Sequence, residues 1–202
     1  FFAGNVDALI AAQPKDLEAS EIEVRLGATW FDKKYIEQFM YETFETPRYL
    51  RGQIEISYVP YTAEWQVSRK SMVRYNDVAA FTTYGTDRAS AYRLLEDALN
   101  LRDIRIYDTI EDADGRERRV LNAKETTLAA QKQQLIRDAF KDWIWKDPER
   151  RETLVRQYNE EMNSTRPREY DGSHIVFSGM NPEITLREHQ KNAIAHVLYG
   201  GN

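Results

Sequence analysis

Between Asn122 and Trp145 apolar residues recur at helical spacing over a longer run than elsewhere in the chain, and an amphipathic helix of that length needs a core to lie on. Asn122 followed by Glu125 is a cap pair, in which the Asn side chain accepts from a backbone N–H that the first turn leaves free. Leu128, Leu135, Ile136, Phe140, Trp143 and Ile144 make this the main core helix. Phe140, Trp143 and Trp145 offer rings on which bases would stack, but on a helix of this length such rings more often form core, and they are read as core. Asp147 followed by Pro148 ends the helix and starts another carrying Leu154, Val155, Tyr158 and Met162, which predicts an antiparallel pair.

The elements before this pair are shorter. Asn5 to Ala12 reads as a helix ended near Pro14, and Lys15 to Leu26 as a second, with Leu17, Ile22, Val24 and Leu26 apolar but imperfectly spaced and Gly27 as its stop. Asp32 caps a stronger helix whose stripe is Tyr35 or Ile36, Phe39, Met40 and Phe44. After the loop marked by Pro47 and Gly52, Ile54, Ile56 and Tyr58 alternate with Glu55 and Ser57 as a half-buried strand. Pro60 to Ala63 turns that strand and Glu64 to Ser68 returns it. Thr86 is expected to cap a helix from Asp87 to Leu99, with Ala91, Leu94, Leu95 and Ala98 inward and Asn100 as its stop. Ile104 and Ile106 alternate in a further strand, which the Asp112 to Gly115 turn returns through Arg118 to Leu121. The expected fold is α+β, mostly helical, with small antiparallel β hairpins packed on a helical layer.

Composition narrows the function classes. At 202 residues, 42% hydrophobic and 12% aromatic, the chain supplies a real core, and a net charge of -5 argues against attraction of the whole chain to nucleic acid. Any DNA contact is therefore expected to be local. No apolar run approaches membrane-spanning length, no signal-peptide pattern is present, and the absence of Cys excludes disulfides and thiolate metal sites. His174, His189 and His196 are too sparse for a metal centre to be expected.

Near the end of the sequence, Thr185 and Glu188 form a capping-box pattern that starts a helix near Leu186. Its apolar stripe is Leu186, Ala193, Ile194, Val197 and Leu198, and Gln190 lies on that stripe. A core-facing Gln needs partners. Its amide has the donor and acceptor that read the N6 and N7 edge of adenine, and it equally has those needed to bond a neighbouring loop as an interfacial polar residue.

The stretch LREHQKNAIAHVLYGGN, Leu186 to Asn202, resembles the Q-motif helix that opens the ATPase core of SNF2-like superfamily 2 helicases. LGATW at Leu26 to Trp30, YGTDRASAYRLLEDALNL at Tyr84 to Leu101 and NSTRPREYDGSH at Asn163 to His174 are similar to the same group. That group comprises large phage, plasmid and conjugative-element proteins joining an adenine-N6 DNA methyltransferase to the helicase, among them the DarB-like antirestriction proteins. The resemblance implies an accessory domain over residues 1 to 180 and the first helix of the ATPase core over 181 to 202. It implies that Gln190 and Arg187 meet the adenine of ATP in the full-length protein, with Mg and the phosphates held elsewhere in that core, and that the protein works on DNA in the bacterial cytoplasm. No G-x-x-x-x-G-K-[ST] phosphate loop and no NPPY-type methyltransferase signature occur here, so this segment is expected to catalyse neither reaction and to need no cofactor of its own. Its expected partners are the remaining helicase core and, through it, DNA. The alternative is an independent small enzyme or a stand-alone protein-interaction domain.

Other stretches carry weaker signals. In RPREYD, Arg166 to Asp171, the side chains of Arg166, Arg168 and Tyr170 suit phosphates and a base, although Arg and carboxylate in one loop more often bond each other. Arg116, Arg118 and Arg119 suit a DNA backbone, but Glu111, Asp112, Asp114 and Glu117 dilute them and a solvated hairpin tip is expected. His174 follows Asp171 beside Ser173, with no nucleophile elbow to make a hydrolytic triad of them.

Overall fold

The computed structural model describes residues 6, 7, 9, 10, 12–74, 77–112, 115–165, 169–181 and 183–200. Its elements are α1 (Lys33–Thr43), β1 (Ile56–Val59), β2 (Glu64–Val67), α2 (Ala91–Leu99), β3 (Tyr107–Glu111), β4 (Glu117–Leu121), α3 (Ala123–Lys146), α4 (Pro148–Glu161) and α5 (Glu188–Tyr199). The strands make two separate antiparallel hairpins, β1 with β2 and β3 with β4, so the architecture is α+β and mostly helical as expected. The chain divides into two compact units, Asp16–Met162 and Phe1–Lys15 with Asn163–Asn202.

In the unit Asp16–Met162, α3 is the spine on which α1, α2 and α4 pack. Asn122 Oδ1 accepts from the Glu125 N–H at 3.0 Å, Asp32 Oδ1 from Lys34 at 2.9 Å and Asp147 Oδ1 from Arg150 at 2.8 Å, so these helices start on their expected caps. Ile36, Phe39, Met40 and Phe44 are fully buried from α1 and its end, as are Ile136, Phe140 and Ile144 from α3 and Leu154 from α4. Phe140 lies at the centre, its ring 5.1 Å from Phe39 edge to face and 6.1 Å from Phe31. Trp143 and Trp145 are half-buried against this core.

The buried face of α3 is turned slightly from the expected one. Ala129, Gln133, Ile136, Phe140 and Ile144 face inward, whereas Leu128 and Leu135 are 41% and 43% exposed. They flank Lys132, whose ammonium donates to the carbonyls of Thr82 at 2.7 Å and Thr83 at 2.9 Å. Gln133 is tolerated on the core side because its Nε2 donates to the Arg102 carbonyl at 2.8 Å. Met162, expected on the inner stripe of α4, is 54% exposed just past its end.

Three further expectations are corrected. Residues 15–26 form no helix. Ile22, Val24 and Leu26 are buried while Glu21, Glu23 and Arg25 are exposed, the two-residue alternation of an extended strap. The side chain of Asn159 brackets this strap, accepting from the Leu17 N–H and donating to the Leu17 carbonyl, both at 2.9 Å. Gly27 ends it at φ 87°, and a Cβ there would lie 2.2 Å from the Leu99 carbonyl oxygen. Thr86 closes a local turn, its hydroxyl accepting from Arg88 and Ala89, so α2 starts later with Ser90 as the preceding residue. Asn100 ends α2 as expected, its amide bridging to the Trp65 backbone, with Leu101 beyond it in the left-handed region at φ 55°. Finally, Ile104 and Ile106 are buried but precede the paired strands, whose register runs from Tyr107 opposite Leu121 to Glu111 opposite Glu117.

The corner between α3 and α4 is held by Arg150, which is 9% exposed. Its Nε donates to the Ile144 carbonyl at 3.0 Å and its Nη2 to that of Trp143 at 2.6 Å, filling carbonyls that the last turn of α3 leaves free. The guanidinium also lies 3.6 Å from the centroid of the Trp143 ring.

Tyr92 links α2 to the end of α1, its hydroxyl 2.6 Å from Thr46 Oγ1, which reaches the Met40 carbonyl at 3.4 Å. Burial pushes the Tyr92 hydroxyl from 10.0 up to about 12. A group whose folded pKa is raised contributes stability that is whole below the unfolded pKa and lost as pH rises through the folded one. Denaturant titrations should therefore show roughly 2 to 3 kcal/mol disappearing between about pH 10 and 12. Tyr92→Phe should flatten that loss, and an equal loss in the variant would show another group to be responsible.

Candidate functional site

In the unit Phe1–Lys15 with Asn163–Asn202, α5 is covered along one side by the segment 170–174. Gly172 sits directly against the helix, where a Cβ would come within 2.0 Å of the Lys191 carbonyl oxygen, and its N–H donates to Asn192 Oδ1 at 2.9 Å. Tyr170 stacks on His196 with centroids 4.7 Å apart and planes 16° from parallel, and His174 stacks on Tyr199 at 5.9 Å. Asn192, His196 and Tyr199, spaced four and three apart, therefore form the side that meets this segment, with Ala195 buried beside them and the rings of His196 and Tyr199 still partly exposed. That spacing was the signal in the sequence for which side is covered, and the apolar count overrode it.

The stripe expected to face inward instead faces out. Val197 is 84% and Leu198 60% exposed, Ala193 and Gln190 are also exposed, and Leu186 and Ile194 are half-buried. The helix begins at Glu188 rather than near Leu186, and the Thr185–Glu188 cap is not made. In its place Gln190 Oε1 accepts the Arg187 N–H at 2.9 Å, half of a capping box, because the Arg187 guanidinium has no acceptor with which to return the bond. Among the described residues one lone pair of that oxygen and both amide hydrogens of Gln190 thus stay available on the exposed stripe, next to Arg187.

Between segment 169–171 and α5 lies a concavity of about 550 Å³, with Tyr170, Asp171, His189 and His196 in its wall. Among the described residues Asp171 makes no hydrogen bond to a His, as a catalytic acid would. It accepts from the Ser173 N–H at 2.8 Å and from the Ser173 hydroxyl at 2.9 Å, and these bonds hold its carboxyl below the usual range. The Ser173 hydroxyl is thereby committed to a carboxylate, and no Asp–His–Ser relay is formed. Tyr170 spends one ring face on His196, while Arg166 and Arg168 lie outside the described residues. Among the described residues no group of His, Asp and Glu is assembled as a metal site.

The arginines of the second hairpin stay solvated. Arg118 is exposed, and Arg119 lies over the Tyr107 ring at 4.8 Å from its centroid. The base of that hairpin is pinned at Asp108 by Arg88 at 2.8 Å and Asn122 at 2.7 Å, bonds that lower its carboxyl pKa.

Residues 25–164 match the model of a family described as a domain of unknown function, DUF8437. The chain belongs to that family. The matched span falls almost wholly within the compact unit Asp16–Met162, so the DUF8437 domain is the helical core with its two hairpins, and α5 lies outside the match. No curated protein and no solved structure matches the chain. Among the described residues no helix is long and apolar enough to cross a membrane.

Proposed function

We propose that this chain is a non-catalytic positioning module of a DNA-dependent SNF2-like helicase that also carries an adenine-N6 DNA methyltransferase, of the antirestriction kind found on mobile elements. In this reading the DUF8437 domain braces the ATPase core and helps present DNA. The helix α5 belongs to the core, with Gln190 and Arg187 at the adenine of ATP, while Mg and the phosphates are held by the rest of the core. The setting is the bacterial cytoplasm, where such a helicase meets DNA. The observation that carries the reading is the outward stripe of α5, on which Val197 and Leu198 are largely exposed beside an available Gln190 amide. An apolar stripe of this kind is stable in water only at a cost, and a partner surface that covers it removes the cost.

The test is association with the separately produced helicase core, followed by calorimetry. Val197→Asp with Leu198→Asp should leave the thermal stability of the chain within about 0.5 kcal/mol, because both sites are exposed, yet abolish the association. A double variant that binds as well as the native chain would overturn the reading, and so would a native chain that does not bind.

A further inference from the structure

The segment LGATW, with Arg25 before it, divides two adjoining concavities in the unit Asp16–Met162. Both are walled by Glu23 and Arg25, which point outward from the strap while Ile22, Val24 and Leu26 point into the core. On one side is a lobe of about 220 Å³ with Arg137 and Lys141 from α3 around an apolar floor of Leu26 and Ala98. On the other is a lobe of about 470 Å³ in which Trp30, Tyr158 and Met162 supply aromatic and thioether surface.

The cations of the first lobe are poorly neutralised. Among the described residues neither Arg25 nor Lys141 takes part in an ion pair, and Arg137 only approaches the 88% exposed Asp103 at 3.8 Å. Glu23 is the one carboxylate in the wall. In a chain of net charge -5, such a cluster is a local reversal of sign. The second lobe is held in shape: Trp30 meets Phe31 at 5.0 Å and Tyr158 at 5.1 Å, both edge to face, and its carbonyl accepts from Gln157 Nε2 at 2.8 Å. The divide cannot shift freely, since Gly27 is packed onto the Leu99 carbonyl in a conformation that favours glycine. At the rim of the cationic lobe, Leu101 is 66% exposed in the left-handed region, a costly conformation of the kind that gathers at binding sites.

We infer that these two lobes form a nucleotide site. The planar ring lies against Trp30 and Tyr158, and the phosphate reaches across the divide to Arg25, Arg137 and Lys141. A planar ring joined to a phosphate is the chemistry that an aromatic wall beside poorly neutralised guanidinium and ammonium groups recognises. It comes either from a free mononucleotide or from one unit of a single strand. The site is separate from α5 and does not rest on the helicase reading.

The experiment measures fluorescence anisotropy of a fluorescein-labelled oligothymidylate at low salt, with AMP as competitor. The native chain should bind the oligonucleotide, and Arg137→Gln with Lys141→Gln should weaken binding about tenfold or more, through loss of two charge-assisted contacts. Arg118→Gln with Arg119→Gln, which removes the same charge from the exposed hairpin, should change it by less than about threefold. Ligand should also quench tryptophan fluorescence in the native chain and not in Trp30→Phe. Competition by AMP assigns the site to free nucleotides, and binding of the oligonucleotide without such competition assigns it to a single strand. A native chain that binds neither, an Arg137 and Lys141 variant that binds normally, or equal losses in the two charge variants would overturn the proposal.

Discussion

Replacing Phe140 by Ala is expected to lower the unfolding free energy by about 4 kcal/mol, a large part of the 5 to 15 kcal/mol that holds an ordinary domain together. Phe140 is fully buried and its ring faces Phe31 and Phe39, from just before α1 and from α1 itself, and Trp143 on its own helix. Removing it takes away the transfer free energy of the ring and leaves a cavity that rigid neighbours close only in part. Leu135→Ala on the same helix should cost less than about 1 kcal/mol, because Leu135 is 43% exposed. Urea unfolding followed by fluorescence checks both, with the midpoint shifting and the slope retained. Equal costs at the two positions would mean that α3 is rotated from the orientation described.

The second large effect concerns Gln190 in the full-length helicase proposed above. Gln190→Ala should remove a two-point pairing with adenine worth about 1 to 3 kcal/mol of discrimination, so that ATP loses most of its advantage over GTP. The geometry of α5 keeps this effect apart from folding. Gln190 is exposed and the only bond of its side chain among the described residues is the cap to the Arg187 N–H, so the isolated chain should lose about 1 kcal/mol or less. The one oxygen serves both purposes, since an amide carbonyl has two lone pairs. ATPase rates at saturating DNA with each nucleotide are the measurement. An unchanged preference for ATP would end the adenine-reading role of Gln190, and a large fall in the melting temperature of the isolated chain would make it a structural residue.

The bearing of the fold on the proposed role follows from where each part is stiff. Helix α3 ties α1, α2 and α4 together through one aromatic cluster, and Arg150 locks the α3–α4 corner with backbone bonds rather than a surface ion pair. Such a domain suits a brace, because its shape depends on buried contacts that salt does not screen. Surface pairs such as Lys33 with Glu37, by contrast, contribute little.

What the sequence alone determined was set by interactions that close within a few residues. Asp32, Asn122 and Asp147 cap their helices through bonds to N–H groups two or three positions on, and these starts were legible. The first hairpin was legible because Ile56, Tyr58, Trp65 and Val67 alternate on either side of a compact turn, and they pair as Ile56 with Val67 and Tyr58 with Trp65. The α+β class follows from those local signals. The tertiary structure decided which way each element faces. Leu135 and Ile136 are adjacent and equally apolar, and only packing against α1 and α2 selects Ile136 for the core. The strap at 16–26 forms no helix although its apolar residues alone were compatible with one, and Asn159, far along the chain, brackets its backbone at Leu17. On α5 the apolar stripe was visible but its orientation was not, since it is Gly172 pressed on Lys191 that covers the opposite side. The candidate nucleotide lobes were not legible in the sequence, where LGATW stood only as part of a family resemblance, because their other walls come from α3 and α4. Periodicity records that a helix or strap has an apolar side; which surface meets that side is a property of segments distant in the chain, and only their close packing assigns it.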